Sequence, residues 1–331
     1  MNSFGRIFRV HIFGESHGES VGIVIDGVPA GLPLTADDLL PDLERRKGGK
    51  QKGTTPRQEA DYPFFKSGIF NNKATGAPIT IFFENNNTRS GDYEKQRSFP
   101  RPGHADFVAH QKYGGNEDFR GGGHFSARLT TGLVAAGAIA KKMMPGVNIH
   151  AEVTEIGGEK DLELGLQKAI DAKDSVGGVV ECRVSGLPAT LGEPFFDSVE
   201  SHIAHIAFAI PAVKGVEFGS GFAAAKMFGS QHNDAIENME GKTSSNHAGG
   251  IVGGISNGNE LVFRIAIKPT ASTPKQQHSL NWETGNMEDF SIKGRHDLCV
   301  ALRAPVILEA ATAVALADLM LLEQRIQRVW K

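Results

Sequence analysis

The chain has 331 residues, with 35 Lys and Arg against 38 Asp and Glu, so its formal net charge is −3. This balance disfavours a general nucleic-acid binder, which carries a basic excess. A content of 40% hydrophobic and 22% charged residues is typical of a globular protein and excludes a disordered one. Its two cysteines, Cys182 and Cys299, cannot form a disulfide framework, which predicts a reducing compartment and a cytoplasmic location.

No membrane association is predicted. The longest apolar stretch, 305–322, contains two carboxylates, Glu309 and Asp318. The first residues lack the basic start, the apolar run and the cleavage site of a signal peptide.

Short β-branched or aromatic segments bounded by Gly, Pro or Asn are predicted strands. In chain order they are 7–13, 21–26, 79–83, 147–156, 178–184, 216–219 and 261–268. Helices are predicted over 35–46, 126–144, 161–172, 197–209 and 305–328. Thr35 and Asp38 form a candidate capping pair, and Pro305 suits the first turn of the last helix.

Two of these helices are apolar on all sides, over 129–140 and 306–322. A helix without a polar face is buried on every side, so the pattern predicts an α+β fold with helices between antiparallel sheets. Regular βαβ alternation is missing, which disfavours a Rossmann sheet. No linker divides the chain, so residues 1–331 are predicted to form one domain. A faint echo between 16–23 and 246–253 suggests pseudo-two-fold halves.

Three Gly-rich basic loops, 45–57, 88–101 and 116–126, are candidates for binding. One basic loop alone is most simply a solvated face. Three in the first 130 residues favour a multiply anionic small molecule, because Arg grips carboxylate and phosphate with two bonds. Aromatic platforms for RNA bases are not interleaved with these cations.

Two histidines, His17 and His104, lie in loops dense with Gly and polar residues. Neighbouring cations should lower the pKa of a loop histidine and poise it for proton transfer. His202 and His205 are three apart on a predicted helix, but no metal-binding motif supports them, so no metal is predicted. Near-matches to nucleotide motifs at 219–224 and 236–243 both fail, the first at Gly229 and the second at Ile236.

Several separated segments together resemble the chorismate synthase family. They are Gly14-Glu15-Ser16-His17-Gly18 with 26–29, Gly121 to Arg128 with 135–138, and Gly294-Arg295-His296-Asp297 with Cys299 and 309–310. Further matches are 101–106, 212–217, 246–254 and 268–270. The resemblance spans nearly the whole chain in the right order.

The resemblance implies a β–α–β sandwich, a homotetramer and a lyase of the shikimate pathway to aromatic amino acids. Such enzymes convert 5-enolpyruvylshikimate 3-phosphate to chorismate by an anti-1,4-elimination of phosphate. They require reduced FMN although the net reaction is redox-neutral, and a transient electron from the flavin is thought to assist loss of phosphate. Nucleic acid and membranes are not among the implied partners.

The resemblance also assigns roles to residues. His17, helped by Ser16, would protonate the departing phosphate; His104 would protonate the reduced flavin; and Asp297 would accept a proton at flavin N5. Arg46, Lys52, Arg101 and Arg128 would bind substrate or NADP, and Ser126 is assigned to catalysis as well as to flavin binding. The implied flavin contacts are His124, Phe125, Ser126, Pro211, Ala212, Gly253, Lys268, Pro269, Thr270, Ala271, Ser272 and Arg295.

This sequence departs from the family pattern in four places. Lys52 replaces a common Arg and loses its two-pronged grip. His124-Phe125 replaces Arg-Ser, Pro211 replaces a frequent Asn, and 158–177 is shorter than usual. Whether NADPH serves as the flavin reductant stays open, because the family contains both kinds of member.

Two other classes of function stay open at this point. One is a flavin- or anion-binding protein that has lost activity, against which intact His17, His104, Ser126 and Asp297 argue. The other is an RNA-binding module, whose affinity would fall steeply with salt.

Overall fold

The computed structural model describes residues 1–49, 51–57, 59–87, 97–292 and 296–330. The strands are β1 Ser3–Phe4, β2 Arg9–Gly14, β3 Ser20–Asp26, β4 Phe64–Ser67, β5 Ile69–Phe70, β6 Lys73–Ala74, β7 Ile79–Glu84, β8 Asn148–Ile156, β9 Gly178–Ser185, β10 Val213–Phe218, β11 Ile251–Val252, β12 Ile255–Ser256, β13 Leu261–Ile267, β14 Gln277–Asn281 and β15 Asn286–Phe290. The α-helices are α1 Leu40–Arg46, α2 Asp106–Tyr113, α3 Thr130–Met143, α4 Leu162–Ala172, α5 Val199–Ala207, α6 Gly229–His232 and α7 Ala304–Leu322. Short 3₁₀ turns cover Ala36–Asp38, Arg120–Phe125, Ala127–Leu129, Phe195–Asp197, Gly221–Lys226 and Val300–Arg303.

Two antiparallel sheets carry the architecture. One has the order β1-β2-β3-β7-β4 and the other β10-β13-β9-β8. In the first sheet Ile23 pairs with Ile81, and Ile25 pairs with Ile79. All four side chains are fully buried, as a period of two places alternate residues on one face.

The helical layer lies between the two sheets. Helix α3 packs on β2, β3 and β7, α7 packs on β8 and β9, and the two helices pack on each other. A Cβ built on Gly137 of α3 would lie 2.3 Å from Cα of Ala310 in α7, so only glycine permits this approach. The α+β prediction, with buried helices between antiparallel sheets, is therefore confirmed.

Helix α7 belongs to the longest apolar segment of the chain. Val300–Leu322 is long and apolar enough to cross a membrane, yet 89% of its most apolar window is buried inside the fold. The two predicted carboxylates within it have polar partners: Glu309 binds Arg45 and Lys141, and Asp318 accepts from the backbone N–H groups of 6–8. These contacts describe the core helix of a soluble fold rather than a span.

Several predicted element limits were wrong. The last helix ends at Leu322 rather than 328, and Gln324 just beyond it has a left-handed φ of 56°. Helix α3 begins at Thr130 rather than 126, because the Ser126 side chain accepts from the Arg128 N–H and caps a separate 3₁₀ turn. The Thr35–Asp38 capping pair and Pro305 in the first turn of α7 are confirmed.

The prediction missed helix α2 and the β14–β15 hairpin. Helix α2 (DFVAHQKY) buries only Ala109, so it has no apolar stripe to detect. The hairpin strands read QHSLN and NMEDF, without the apolar alternation that marks a half-buried strand.

Candidate active site

A cleft opens where the two central helices begin, and seven loops supply its walls. We call it the basic cleft. Its charged and titratable lining is Arg46, Lys47, Arg57, Glu59, Asp61, Arg101, His104, Arg128, Lys268, His296, Asp297 and Arg303. Seven cations face three carboxylates in this set, so the cleft is suited to a multiply charged anion.

A second cleft, which we call the apolar cleft, adjoins the first. It is lined mainly by Phe4, Val10, Ile12, Leu129, Leu133, Ile206 and Phe208. The two clefts share one wall, formed by His104, Phe125, Ser126, Pro211, Ala212 and Lys268. A ligand lying across this wall would meet charged groups on one side and hydrocarbon on the other.

The floor of the basic cleft is a buried ion-pair cluster of Arg46, Asp61 and Arg128. One Asp61 oxygen accepts from Arg46 Nη1 at 3.2 Å and the other accepts from Arg128 Nη1. The three side chains are at most 5% exposed. Burial lowers the pKa of Arg46 to about 9, against the opposing effect of Asp61. We call this cluster the floor.

The floor arginines have protein partners at every nitrogen. Arg46 also donates to the Thr130 hydroxyl and to backbone carbonyls of the turn before α3. Arg128 also donates to Asn85 Oδ1 and the Glu84 carbonyl. Their contacts fix the start of α3 against β7.

His104 is held by a carboxylate. Its Nδ1 lies 2.6 Å from Asp106 Oδ1, and Arg101 donates to the same carboxylate from Nε and Nη2. Burial alone would raise the pKa of Asp106, but the hydrogen bonds from Arg101 and His104 lower it overall. The ionised carboxylate keeps a proton on Nδ1, which leaves Nε2, beside Gly122, for proton exchange.

Ser16 and His17 lie in the turn between β2 and β3. Ser16 lines the basic cleft, whereas His17 lies behind it against Gly121. A Cβ on Gly121 would lie 2.1 Å from His17 Nδ1 and 3.1 Å from Ser16 Oγ, so glycine is required there. Burial and then the charge of Arg57 lower the pKa of His17, as the sequence predicted for a loop histidine among cations.

Asp297 joins two loops at the opposite wall. Its carboxylate accepts from the Thr55 N–H at 2.8 Å and from Arg303 Nη1 at 3.1 Å. Arg303 also donates from Nε to the Arg46 carbonyl at 3.2 Å. Arg303 thereby links Asp297 to Arg46 of the floor through the backbone of α1.

Two buried polar atoms beside the basic cleft have no hydrogen-bond partner among the described residues. They are Thr270 Oγ1 and His296 Nε2. Burial, followed by the charge of Arg101, lowers the pKa of His296 to about 4. Because buried polar atoms in proteins are nearly always paired, these two mark places for a ligand.

The structure gathers most of the predicted site residues but not all. Lys52 donates to Gln167 and does not line either cleft. Gly253, in the turn of the β11–β12 hairpin, lies away from both clefts. The His124 ring, which donates to the Gly14 carbonyl, lines only the apolar cleft. Arg295, with Lys50, Arg89 and Lys95 of the basic loops, lies outside the described residues.

The basic cleft is also lined by residues that the prediction did not assign, among them Arg57, Asp61, His296 and Arg303. The sequence around Asp61 and Arg303 contains no motif that predicts their place in the cleft, because each contacts a partner that is distant in sequence. Arg57 stood among the basic loops without a role, and its guanidinium donates to Ser16 and Glu59. His296 stood inside the matched Gly-Arg-His-Asp motif, which was the one signal that could have found it.

The family model described as Chorismate synthase matches residues 8–321. A chorismate synthase of Chitinophaga pinensis is 70% identical over 332 residues, covering 100% of both chains. One from Korarchaeum cryptofilum is 42% identical, covering 95% of this chain and 96% of its own. A crystal structure of chorismate synthase superposes with a TM-score of 0.73 at 28% identity, covering 97% of this chain and 93% of that one.

Proposed function

The chain belongs to the chorismate synthase family, and we propose that it carries out the family's reaction in the two joined clefts with reduced FMN as its cofactor. The reaction is the anti-1,4-elimination of phosphate from 5-enolpyruvylshikimate 3-phosphate to give chorismate, the last common step of the shikimate pathway. The observation that carries the proposal is the shared wall, where a basic and an apolar cleft meet.

The charge of the basic cleft supports binding of this substrate. The substrate carries two carboxylates and a phosphate, and seven cations face three carboxylates in the lining. Fixed cations in a site that closes to water stabilise the negative charge that develops on the departing phosphate.

The shared wall supports FMN. Of the predicted flavin contacts, Phe125, Ser126, Pro211, Ala212 and Lys268 line both clefts, and 269–272 line the basic one. Within them Thr270 Oγ1 is a buried hydroxyl to which the described part of the chain offers no partner, so the residues present fit a polar planar group with one apolar edge. Reduced FMN, when bound, supplies the transient electron that assists loss of phosphate.

We assign the proton steps to two histidines on separate loops. His104 exchanges its Nε2 proton, because Asp106 holds the other nitrogen. His17 is neutral at rest, since burial and Arg57 lower its pKa. An incoming phosphate favours its protonated form, and Ser16 is the group between His17 and the cleft. Asp297 is the proton acceptor at the opposite wall, held by Thr55 and Arg303.

The direct test is anaerobic. Protein is mixed with chemically reduced FMN and 5-enolpyruvylshikimate 3-phosphate, and chorismate absorbance is followed together with phosphate release. We expect the two products in equal amounts. Flavin binding without product would overturn the proposed catalysis and leave the binding protein that has lost activity. Repeating the assay in air with oxidised FMN and NADPH asks whether the chain reduces its own flavin.

His17→Ala and His104→Ala test the proton assignments. We expect each to lower kcat by about 10²–10⁴-fold, the usual contribution of a general acid, without loss of the fold by circular dichroism. The matched control is His278→Ala, because His278 is exposed on β14 and lies outside both clefts. Retained turnover in both cleft variants would refute the assignments.

A homotetramer in the cytoplasm is part of the same proposal. The segment between β10 and β11 carries large apolar side chains that are 73–99% exposed, namely Phe222, Phe228, Ile236 and Met239. Apolar surface of this extent marks an interaction site, and a second copy of the chain is the simplest occupant. Sedimentation velocity tests the assembly, and a monomer at micromolar concentration would contradict it.

A further inference from the structure

The five arginines that line the basic cleft differ in how many of their nitrogens have protein partners. In Arg46, Arg57, Arg101 and Arg128, the Nε, Nη1 and Nη2 atoms all donate to protein acceptors. In Arg303, Nε and Nη1 donate to the Arg46 carbonyl and to Asp297. Its Nη2 donates to no acceptor within the described part of the chain.

We propose that Arg303 is a substrate-binding residue whose Nη2 edge holds an oxyanion of the substrate, whereas Arg46 and Arg128 shape the cleft from below. The proposal rests on the proposed function for the identity of the substrate. It changes the assignment by resemblance, which placed Arg46 and Arg128 among the residues that bind substrate or NADP and gave Arg303 no role.

The orientation of Arg303 supports this role. Its side chain is 13% exposed, and two acceptors on the Nε and Nη1 side fix the plane of the guanidinium. A donor held in place before binding gives more affinity than a mobile one, because less side-chain freedom is lost.

The carboxylate of Asp297 does not block the free edge. It contacts only Nη1 of Arg303, at 3.1 and 3.3 Å, and its Oδ1 also accepts from the Thr55 N–H. An anion therefore approaches Nη2 without displacing Asp297. Among the described residues, the guanidinium of Arg303 therefore has a fixed acceptor at Nη1 and no acceptor at Nη2.

The test compares Arg303→Gln with Arg303→Lys. Isothermal titration calorimetry measures binding of two probes, inorganic phosphate and shikimate, which carries a ring carboxylate and no phosphate. We expect Arg303→Gln to weaken binding of at least one probe by about ten- to hundredfold, as for loss of a charged hydrogen bond. Arg303→Lys should restore part of it, because Lys keeps the charge without the fork. Weakening of phosphate alone identifies the phosphate as the bound oxyanion, and weakening of shikimate alone identifies the ring carboxylate.

The matched control is Arg183→Gln, which makes the same change of charge on an exposed arginine of β9 outside both clefts. In the steady-state assay, Arg303→Gln should raise KM with a smaller effect on kcat. Unchanged affinity for both probes in a folded Arg303→Gln protein would overturn the proposal. Equal weakening by Arg183→Gln would overturn it too, since it would show a general charge effect. Probe binding does not require turnover, so a failure of the proposed catalysis is distinguishable from a failure of this inference.

Discussion

The floor and the opposite wall of the basic cleft use the same kinds of side chain in different ways. In the floor, Asp61 accepts from Arg46 and Arg128, and all three side chains are at most 5% exposed. In the wall, Arg303 and Asp297 also form an ion pair, but they are 13% and 12% exposed, and Nη2 of the arginine has no acceptor in the parts of the chain that the structure describes. We call the pair of Arg303 and Asp297 the wall, which is distinct from the shared wall between the two clefts.

The difference shows that a charged residue that lines a cleft does not necessarily bind a ligand there. A guanidinium with partners at every nitrogen keeps few of its five N–H groups for a ligand. Its loss should appear as instability, whereas loss of a guanidinium with an open edge should appear as weaker binding. The following predictions test this division.

The largest effect is expected from Asp61→Asn. The change removes the negative charge between two buried guanidinium groups and keeps the side-chain shape. Asn also tolerates the left-handed φ of 50° at this position. We expect the free energy of unfolding to fall by about 3–5 kcal/mol, as when one partner of a buried ion pair is lost.

Urea unfolding followed by circular dichroism measures this loss. The comparison variant is Arg303→Gln, for which we expect a fall in unfolding free energy below that of Asp61→Asn. If the two variants were equally destabilised, the division between floor and wall would not hold.

The next largest effect on stability is expected at the close contact between helices α3 and α7. Gly137→Ala places a Cβ 2.3 Å from Cα of Ala310, so α3 and α7 must move apart. We expect a loss of about 1–3 kcal/mol, typical of an overpacked core, even though alanine is the better helix former. Gly229→Ala is the control, because its Cβ would meet nothing within 4 Å. Equal thermal shifts in both variants would contradict the close packing.

We expect the contribution of His296, which lines the basic cleft next to Asp297, to the free energy of unfolding to depend on pH. Burial lowers the pKa of His296 from 6.5 to about 4, so between these values the unfolded chain binds a proton that the folded chain does not. Stability from this group is present above pH 6.5 and is lost as the pH falls toward 4. At pH 4.5 the loss is about 2 kcal/mol, from 1.36 kcal/mol per pKa unit.

His296→Gln should remove this part of the acid sensitivity. The measurement is the unfolding free energy of both proteins at pH 7 and pH 4.5, and the quantity compared is the change with pH. His278→Gln, at an exposed histidine on β14, should keep the wild-type dependence. An unchanged slope in His296→Gln would mean that another group carries the effect.

The sequence predicts the layers of this fold better than it predicts the cleft. The apolar segments 129–140 and 306–322 indicate buried helices because a helix without a polar face has no alternative. The limits are harder to predict, as at Gln324, because a single left-handed residue ends the last helix although residues 323–328 are mostly good helix formers.

The cleft could be predicted only in part, for a physical reason. Motifs placed Ser16, His104 and Asp297 in one site because matched local segments carry them. Asp61 and Arg303 depend on partners up to 257 residues away and on a free edge that only three-dimensional packing creates. Local composition shows that an arginine is present and does not show which of its nitrogens are occupied.

The smallest effect on stability is expected at an ion-pair cluster on the protein surface. Its charges are of the same kind as those of the floor, but they are exposed to water. Arg183 pairs with Glu181 at 2.7 Å and with Glu260 at 2.8 Å, and its side chain is 48% exposed. One residue bridges two of opposite charge, as Asp61 does in the floor. We expect Arg183→Gln to cost less than about 1 kcal/mol, because exposed ion pairs gain little in water and are screened by salt. Urea unfolding at low and high salt measures both the cost and the screening. A loss as large as that of Asp61→Asn would show that the number of ion pairs, and not their burial, sets the stability of such clusters.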